Sequence, residues 1–506
     1  MFERLIPSTM ATQHPDNAQA PVWERDGDGY VSVAEEPAEC AWCFDKLGVD
    51  EFMWDWEGKY ADEAVIDRLF TTYYSYFKQH QLGKDKFLTF RLPNIWHERG
   101  YSLLRALMVI LTSEDFAHDL GFHSPPLFEA ILPMTERAEQ LAYIQQAYAK
   151  LARFKVATFN HRSRINSDYL EIIPLIEGIE EQSKVGKLLS RHISLHRKYF
   201  NSKPAYVRPF LARSDPALVS GMFANVLANK LALDAAAHFS QQSHIPVYPI
   251  IGAGSLPFRG GLNPDRVKEF CHEYRGVRTV TIQSAFRYDY PLSAAKCAVV
   301  YLKHELPRHS IPRLSPRERV GAESLMKRFA ASYRAELLPV LRDLAPLFKA
   351  VPARRERRQH IGLLGYGRNI GKRIIPRAIN FTAALYSLGV PPEFIGVGHV
   401  LAKLNPDEMS LLSRTYLNWQ QDLRCAGQYL SPDVLERLAQ RSKAWQRIQA
   451  GIQQVEQVLG CRFRAQHKKE LTYSKLAMQV QKGLRRKGSV LSSLITKSGK
   501  LRQSLG

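Results

Sequence analysis

Chemistry near the start of the chain centres on one histidine. In "ATQHPDN", Ala11 to Asn17, His14 stands directly before Pro15. Proline holds the preceding residue in extended or turn backbone, so His14 is not predicted to ride on a helix. An imidazole fixed in this way can take or hold a proton near neutral pH. Two acids close apolar runs: Glu177 ends "EIIPLIE" and Asp215 ends "RPFLARSD". On neighbouring strands such a pair can hold a hard divalent cation. Mg²⁺ takes one or two protein carboxylates and completes its octahedron with substrate oxygens and water. The plainer alternative is that each acid caps a following helix, as "SDPAL", with its proline, suggests for Asp215. Asp55, Glu57 and Lys59 in "WDWEGK" lie at another strand end, where an acid can serve only to orient other groups.

Arginine supplies the anion chemistry. Arg91 follows "FLTF", Arg259 lies in "GSLPFRGG", Arg287 in "QSAFRYDYP" and Arg368 in "GYGRNIGKR". The planar guanidinium matches phosphate and carboxylate bidentately. Gly254 and Gly260 flank Arg259 and let backbone N–H groups approach an anion. A surface or structural salt bridge is the alternative for any one of the four.

These residues need elements to position them. Eight short apolar or β-rich runs recur: "MATQH", "EFMWDWE", "FLTFRLPN", "AILPMT", "EIIPLIE", "YVRPFLARSD", "VYPIIGAGS" and "TVTIQSAFR". Their ends fall roughly 30 to 45 residues apart, the size of a β-α unit. Several gaps carry apolar residues at helical spacing: "DEAVIDRLFTTYYSYFKQH", "ERAEQLAYIQQAYAKLARF" and "PALVSGMFANVLANKLALDAAAHF". Eight strands alternating with helices predict an α/β fold of the (β/α)8 barrel type, which gathers strand-end side chains at one rim. An open doubly wound sheet is the alternative, but no G-x-G-x-x-G follows the first strand. The predicted boundaries are 1–300 for the barrel and 301–506 for a mostly helical extension, entered through "ELPRHSIPRLSPRERV". Its predicted helices are "ESLMKRFAASYRAELLPVLRDLAPLF", "PEFIGVGHVLAKL" and "SPDVLERLAQRSKAWQRIQAGIQQVEQVLG".

Bulk properties fit a folded chain with anionic partners. With 506 residues, 45% apolar and 24% charged, it can bury a core without staples. The net charge of +21 suggests nucleic acid, a membrane surface, or small phosphorylated and carboxylated substrates. The excess concentrates in "ARRERR" and in the chain after Arg462, which holds one acid, Glu470. Few aromatics are interleaved there, so a solvated surface is expected rather than a nucleic-acid site. Among the six cysteines, Cys40 and Cys43 form a C-x-x-C pair, but no second pair completes a zinc site and reduced thiols are expected. No apolar run is long enough to span a membrane, and "MFERLIPSTM" lacks the features of a signal peptide. A soluble cytoplasmic protein is expected.

Taken together, "TQHPDN", "FMWDWEGKY", "FRLPN", "ILPMT", "EIIPLIE", "RPFLARSDPAL", "GAGSLPFRGG", "TIQSAFRYD" and "GYGRNIGKR" resemble the archaeal-type phosphoenolpyruvate carboxylases, in that family's order. The resemblance runs from about residue 8 to about residue 380, and more loosely to the end. It implies a (β/α)8 barrel, a homotetramer, Mg²⁺ or Mn²⁺, and carboxylation of phosphoenolpyruvate by bicarbonate to oxaloacetate and phosphate. In the larger bacterial and plant enzymes a "TAHPT" histidine works on the carboxyphosphate intermediate, and His14 is its counterpart by pattern. The resemblance further implies Glu177 and Asp215 as metal ligands and Arg91 as a phosphate contact. Arg259 matches the last arginine of a longer "GRGG" loop, while Arg287 and Arg368 match further anion-binding arginines. The sequence departs from the larger enzymes in having Ala253 where they carry an arginine and Leu218 where they carry a lysine. Arg208, Arg213 or Lys372 are the candidates to compensate. The chain ends "RQSLG", and family C-termini finish in a short glycine-terminated tail that approaches the active site. Two rival readings are another metal-dependent 2-oxo acid lyase of the same barrel superfamily and a nucleic-acid-binding protein.

Overall fold

All eight β-rich runs form strands. The computed structural model describes residues 5–24, 26–59, 62–98, 100–159, 168–356, 368–370, 373–484 and 488–506. The strands are β1 (Thr9–Thr12), β2 (Glu51–Asp55), β3 (Phe87–Arg91), β4 (Glu129–Leu132), β5 (Glu171–Ile176), β6 (Phe210–Leu211), β7 (Ile250–Ile251) and β8 (Thr279–Ile282). They pair in parallel in sequence order, and β8 returns to β1 with Ala11 opposite Ile282, so the sheet closes into a barrel. β6 and β7 each have two residues and each directly follows a proline, Pro209 and Pro249, which has no N–H for a ladder.

Two layers of apolar side chains hold the barrel. Met10, Met53, Ile131, Ile173, Leu175, Phe210, Ala212 and Ile250 fill its interior. The outward-facing side chains of the strands pack against the surrounding helices in a larger cluster that includes Phe52, Trp54, Phe90, Leu132 and Ile282. At the N-terminal end Arg208 is fully buried between Glu51, 2.7 Å away, and Glu129. Breaking such a pair would strand a buried charge.

After the barrel the chain is mostly helical, as expected, with an added antiparallel pair, β9 (Arg368–Ile370) and β10 (Arg373–Ile375). The helix Pro316–Ala350 begins with a capping box formed by Ser315 and Glu318. Its apolar face shares a core with Leu218, Met222 and Phe223 of the barrel's helices. Several helices expected to be continuous are broken. The run from Asp62 to His80 divides into Val65–Thr72 and Tyr74–Gln79 at Tyr73. That from Pro216 divides at Gly221, which has φ +85°. "PEFIGVGHVLAKL" keeps one turn, Gly398–Leu401, because Gly396 adopts φ +74° just before it. The helix expected from Ser431 to Gly460 becomes Pro432–Ala439 and Lys443–Leu459, and Ser442 caps the second by accepting from the Ala444 N–H. Among the described residues no helix is long and apolar enough to cross a membrane.

Candidate active site at the C-terminal rim of the barrel

The strand ends bring dispersed residues to one rim. His14 lies two residues past β1, Arg91 ends β3, Glu177 follows β5, and Asp215 sits in the first turn of the helix Ser214–Ser220 after β6. β5 and β6 are neighbours, with Ile176 opposite Leu211, so the two acids leave adjacent strands. The backbone beneath them is braced. The Gln182 side-chain amide donates to the Ile176 carbonyl at 3.0 Å and to the Ala212 carbonyl at 2.9 Å. Asn225 and Asn229 also donate to the Ala212 carbonyl.

Arg91 joins the β2 and β3 ends. Its Nε donates to Asp55 at 2.8 Å and its Nη1 pairs with Glu57 at 2.7 Å, while Glu177 adds to the negative field around it. Burial would raise the Asp55 carboxyl, but Arg91 and Lys59 outweigh it and hold it far below the usual carboxylate range. Next to this pair, Glu98 accepts from the Asn94 N–H at 2.8 Å and the Gly58 N–H at 3.1 Å. Its carboxyl is pushed up to about 8, chiefly by burial, with Glu57 and Asp55 adding repulsion.

Arg259 joins the other half of the rim. It is fully buried and reaches Asp16 at 3.0 Å, Ser214 at 3.1 Å, Gln283, and the carbonyl of the last residue, Gly506. The tail is held further by the Leu505 N–H, which donates to the Asp16 carbonyl at 2.6 Å. The turn carrying Arg259 depends on close backbone approach. The Gly254 N–H donates to the Arg259 carbonyl at 2.8 Å, and Gly260 has φ +130°. A Cβ on Gly260 would meet the Cβ of Ala253 at 2.7 Å.

His14 lies between these two halves, half-buried, with Nδ1 2.8 Å from the Thr12 hydroxyl. Burial lowers its pKa well below the usual imidazole value, and Arg91, Arg259 and Arg377 push the same way against Asp55. It is therefore a neutral base at neutral pH.

The remaining sequence candidates have other surroundings. Arg287 is fully buried behind β1. It donates to the Thr12 carbonyl at 2.7 Å, to Glu39 at 3.0 Å and to the Cys43 sulfur at 2.9 Å. Cys40 and Cys43 are free thiols, both buried, with burial pushing Cys43 up to about 12. The side chain of Arg368 lies outside the described residues, as does Lys372. Arg208 is at the opposite end of the barrel, so it does not compensate for missing charge at this rim. Arg213 is nearer, but its guanidinium turns to Asn225 and the Pro257 carbonyl. Leu218 is fully buried in the core shared with the helical extension, where a lysine would have no water.

Sequence reasoning missed Asp16, Gln283 and Arg377. Arg377 precedes the helix Ala378–Ser387, and "IIPR", a short strand followed by Pro-Arg, was the available signal. Among the described residues one group of three carboxylates converges within 4.8 Å, Glu24, Asp26 and Asp28, in a loop beyond the His14 segment. At the rim, Glu177 and Asp215 follow adjacent strands, and such a carboxylate pair suits a hard cation that completes its shell with substrate and water.

A neutral base, two acids that follow adjacent strands and buried guanidinium groups at one rim suit the handling of a multiply charged anion. A family model described as phosphoenolpyruvate carboxylase matches residues 6–506. The chain belongs to the phosphoenolpyruvate carboxylase family. This enzyme is 44% identical over 506 residues to the phosphoenolpyruvate carboxylase of Leuconostoc mesenteroides, covering 100% of each chain. It is 40% identical over 448 residues to that of Methanospirillum hungatei, covering 85% of this chain and 88% of the relative. The phosphoenolpyruvate carboxylase of Pyrococcus furiosus is 38% identical over 454 residues, with 87% and 92% covered.

Proposed function

We propose that the enzyme carboxylates phosphoenolpyruvate with bicarbonate, giving oxaloacetate and phosphate. The observation that carries this reading is the convergence of His14, Arg91 and Arg259 on the rim that also bears Glu177 and Asp215. The donor chemistry fits Mg²⁺ or Mn²⁺ held by Glu177 and Asp215. When bound, the ion supplies Lewis-acid stabilisation of negative charge on substrate oxygens.

The chain's own residues account for the rest. Arg91 and Arg259 hold the phosphoryl oxygens and offset their charge as a bicarbonate oxygen forms its bond to phosphorus and the enolate oxygen leaves. The carboxyphosphate so formed divides into CO₂ and phosphate, and the enolate carbon bonds to that CO₂. His14 takes the bicarbonate-derived proton and returns it to the departing phosphate, a role that needs the neutral imidazole. Arg287 fixes the β1 end through the Thr12 carbonyl and adds positive charge behind it. Arg368 is assigned to the same anion site. The backbone at Gly254 and Gly260 completes the Arg259 turn, and the buried tail keeps water away from that arginine.

The reading extends to the whole chain: residues 1–300 as the catalytic barrel, 301–506 as a helical extension, a cytoplasmic location, and a homotetramer. Exposed Tyr101, Leu104 and Met108 on one face of the helix Gly100–Asp119 support an assembly that covers them. The experiment is a coupled assay for oxaloacetate with ¹⁸O-bicarbonate. Oxaloacetate must depend on added bicarbonate, and one labelled oxygen must appear in the phosphate. Oxaloacetate without bicarbonate, or unlabelled phosphate, refutes the reading.

A further inference from the structure

At the opposite end of the barrel lies a cavity of about 590 Å³ between the starts of β7 and β8 and the segment after Glu305. Its size is that of a small-metabolite site rather than of a single water. Its lining carries basic side chains. Arg278, Arg313 and His309 line it; among the described residues no carboxylate is in the lining, while Asp234 and Glu305 stand behind Arg313 and His309. Arg313 is already occupied, with Nε 3.2 Å from Asp234 and its other nitrogens on Gln241 and His238.

Among the described residues Arg278, like Arg213, lacks the carboxylate partner that several buried arginines have. Arg208, Arg259, Arg287 and Arg355 each pair with a carboxylate. Among the described residues Arg278 has no ion-pair partner, and its Nε is buried without an acceptor. One hydrogen bond holds it, from Nη2 to the Ile6 carbonyl at 3.3 Å. Asp50, the acid whose field reaches it, is committed to the Ser8 and Thr9 backbone and to Lys303 at 2.6 Å. Burial lowers the Arg278 pKa, against the opposing fields of Tyr248 and Asp50.

Two hydroxyl-bearing residues, Tyr248 and Ser310, line the same space. Neither hydroxyl has a hydrogen-bond partner among the described residues. Val277 and Ile311 supply an apolar wall. A guanidinium, two free hydroxyls and an apolar wall match an oxyanion head on a small organic body.

We propose that this cavity is a second binding site, separate from the catalytic rim, for a small anionic metabolite carrying a phosphate or carboxylate group on Arg278. The proposal does not depend on the catalytic assignment, because the site lies at the other end of the strands.

The test is calorimetric titration of the full-length protein with inorganic phosphate and, separately, with succinate. Wild type is compared with Arg278→Gln and Ser310→Glu. Arg278→Gln removes the cation. Ser310→Glu places an internal carboxylate beside it, at an exposed position that gives up no hydrogen bond, so it remains informative if the first variant folds poorly. Both substitutions should weaken one class of anion site by about tenfold or more, the effect of one charge-assisted hydrogen bond. Arg278→Gln should carboxylate at the wild-type rate. Loss of phosphate binding assigns a phosphorylated ligand, and loss of succinate binding a carboxylated one. Isotherms for both anions that are unchanged by either substitution overturn the proposal.

Discussion

His14 combines a fixed ring with a field that disfavours its charged form. Burial and the three guanidinium groups lower its pKa, so the folded protein binds fewer protons than the unfolded chain just below pH 6.5. The stability this gives is present above 6.5 and is lost progressively as the pH falls from 6.5 to the lowered value of the folded state. In kinetics, the acid limb of kcat/KM that belongs to His14 should lie well below 6.5. A limb near 6.5 that vanishes in His14→Asn would contradict the assignment. His14→Asn should also lower oxaloacetate formation by about 10²–10⁴-fold, the usual contribution of a positioned base. Glu98 has the opposite sign. Its carboxyl, raised to about 8, stays protonated in the fold where the unfolded chain has ionised. Wild type therefore loses stability as the pH rises from about 4.3 towards 8. Glu98→Gln should gain on wild type across that interval, read from denaturant midpoints at pH 5 and pH 8. A difference independent of pH would show that Glu98 is ionised throughout.

At the scale of elements, the eight strands were legible because each ends an apolar run in polar residues at a spacing that fits a β-α unit. The places of Glu177 and Asp215, just beyond β5 and β6, were legible for the same reason. The helix breaks were not, because Gly221 and Gly396 turn the chain in response to a distant partner. Both press on Tyr333, which donates its hydroxyl to the Leu218 carbonyl at 3.0 Å. A Cβ on Gly396 would fall 2.3 Å from the Tyr333 backbone nitrogen. Gly396→Ala should cost about 2–5 kcal/mol, from a strained positive φ together with overpacking, and should lower the thermal midpoint. An unchanged midpoint would mean that the chain can give way at that contact within the helical extension. Asp16 was hidden for a similar reason: its partners, Arg259 and the Leu505 N–H, lie far away in sequence. Removing Ser504 to Gly506 takes the terminal carbonyl from Arg259. Carboxylation should fall while the circular dichroism spectrum is kept, and full activity in the shortened chain would make the tail dispensable.

At the scale of the whole molecule, the positive charge divides into a buried part and a surface part. Buried guanidinium groups meet carboxylates at both ends of the barrel, while the excess in the C-terminal helices lies mostly in exposed side chains. Composition alone cannot separate these, which is why a net charge of +21 left several kinds of partner open. Assembly is not written in charge either. If four chains of 57.7 kDa associate through the exposed face of the helix Gly100–Asp119, light scattering should give about four times that mass. Leu104→Asp with Met108→Asp should then give a smaller species. A monomeric wild type would contradict the tetramer. The central claim is that Glu177 and Asp215, 38 residues apart in the chain, meet around one divalent ion. It is tested most directly by paramagnetic resonance during Mn²⁺ titration of the metal-free protein. One high-affinity site per chain is expected, lost in both Glu177→Ala and Asp215→Ala while each keeps the wild-type fold. Undiminished Mn²⁺ binding in either folded variant would contradict it.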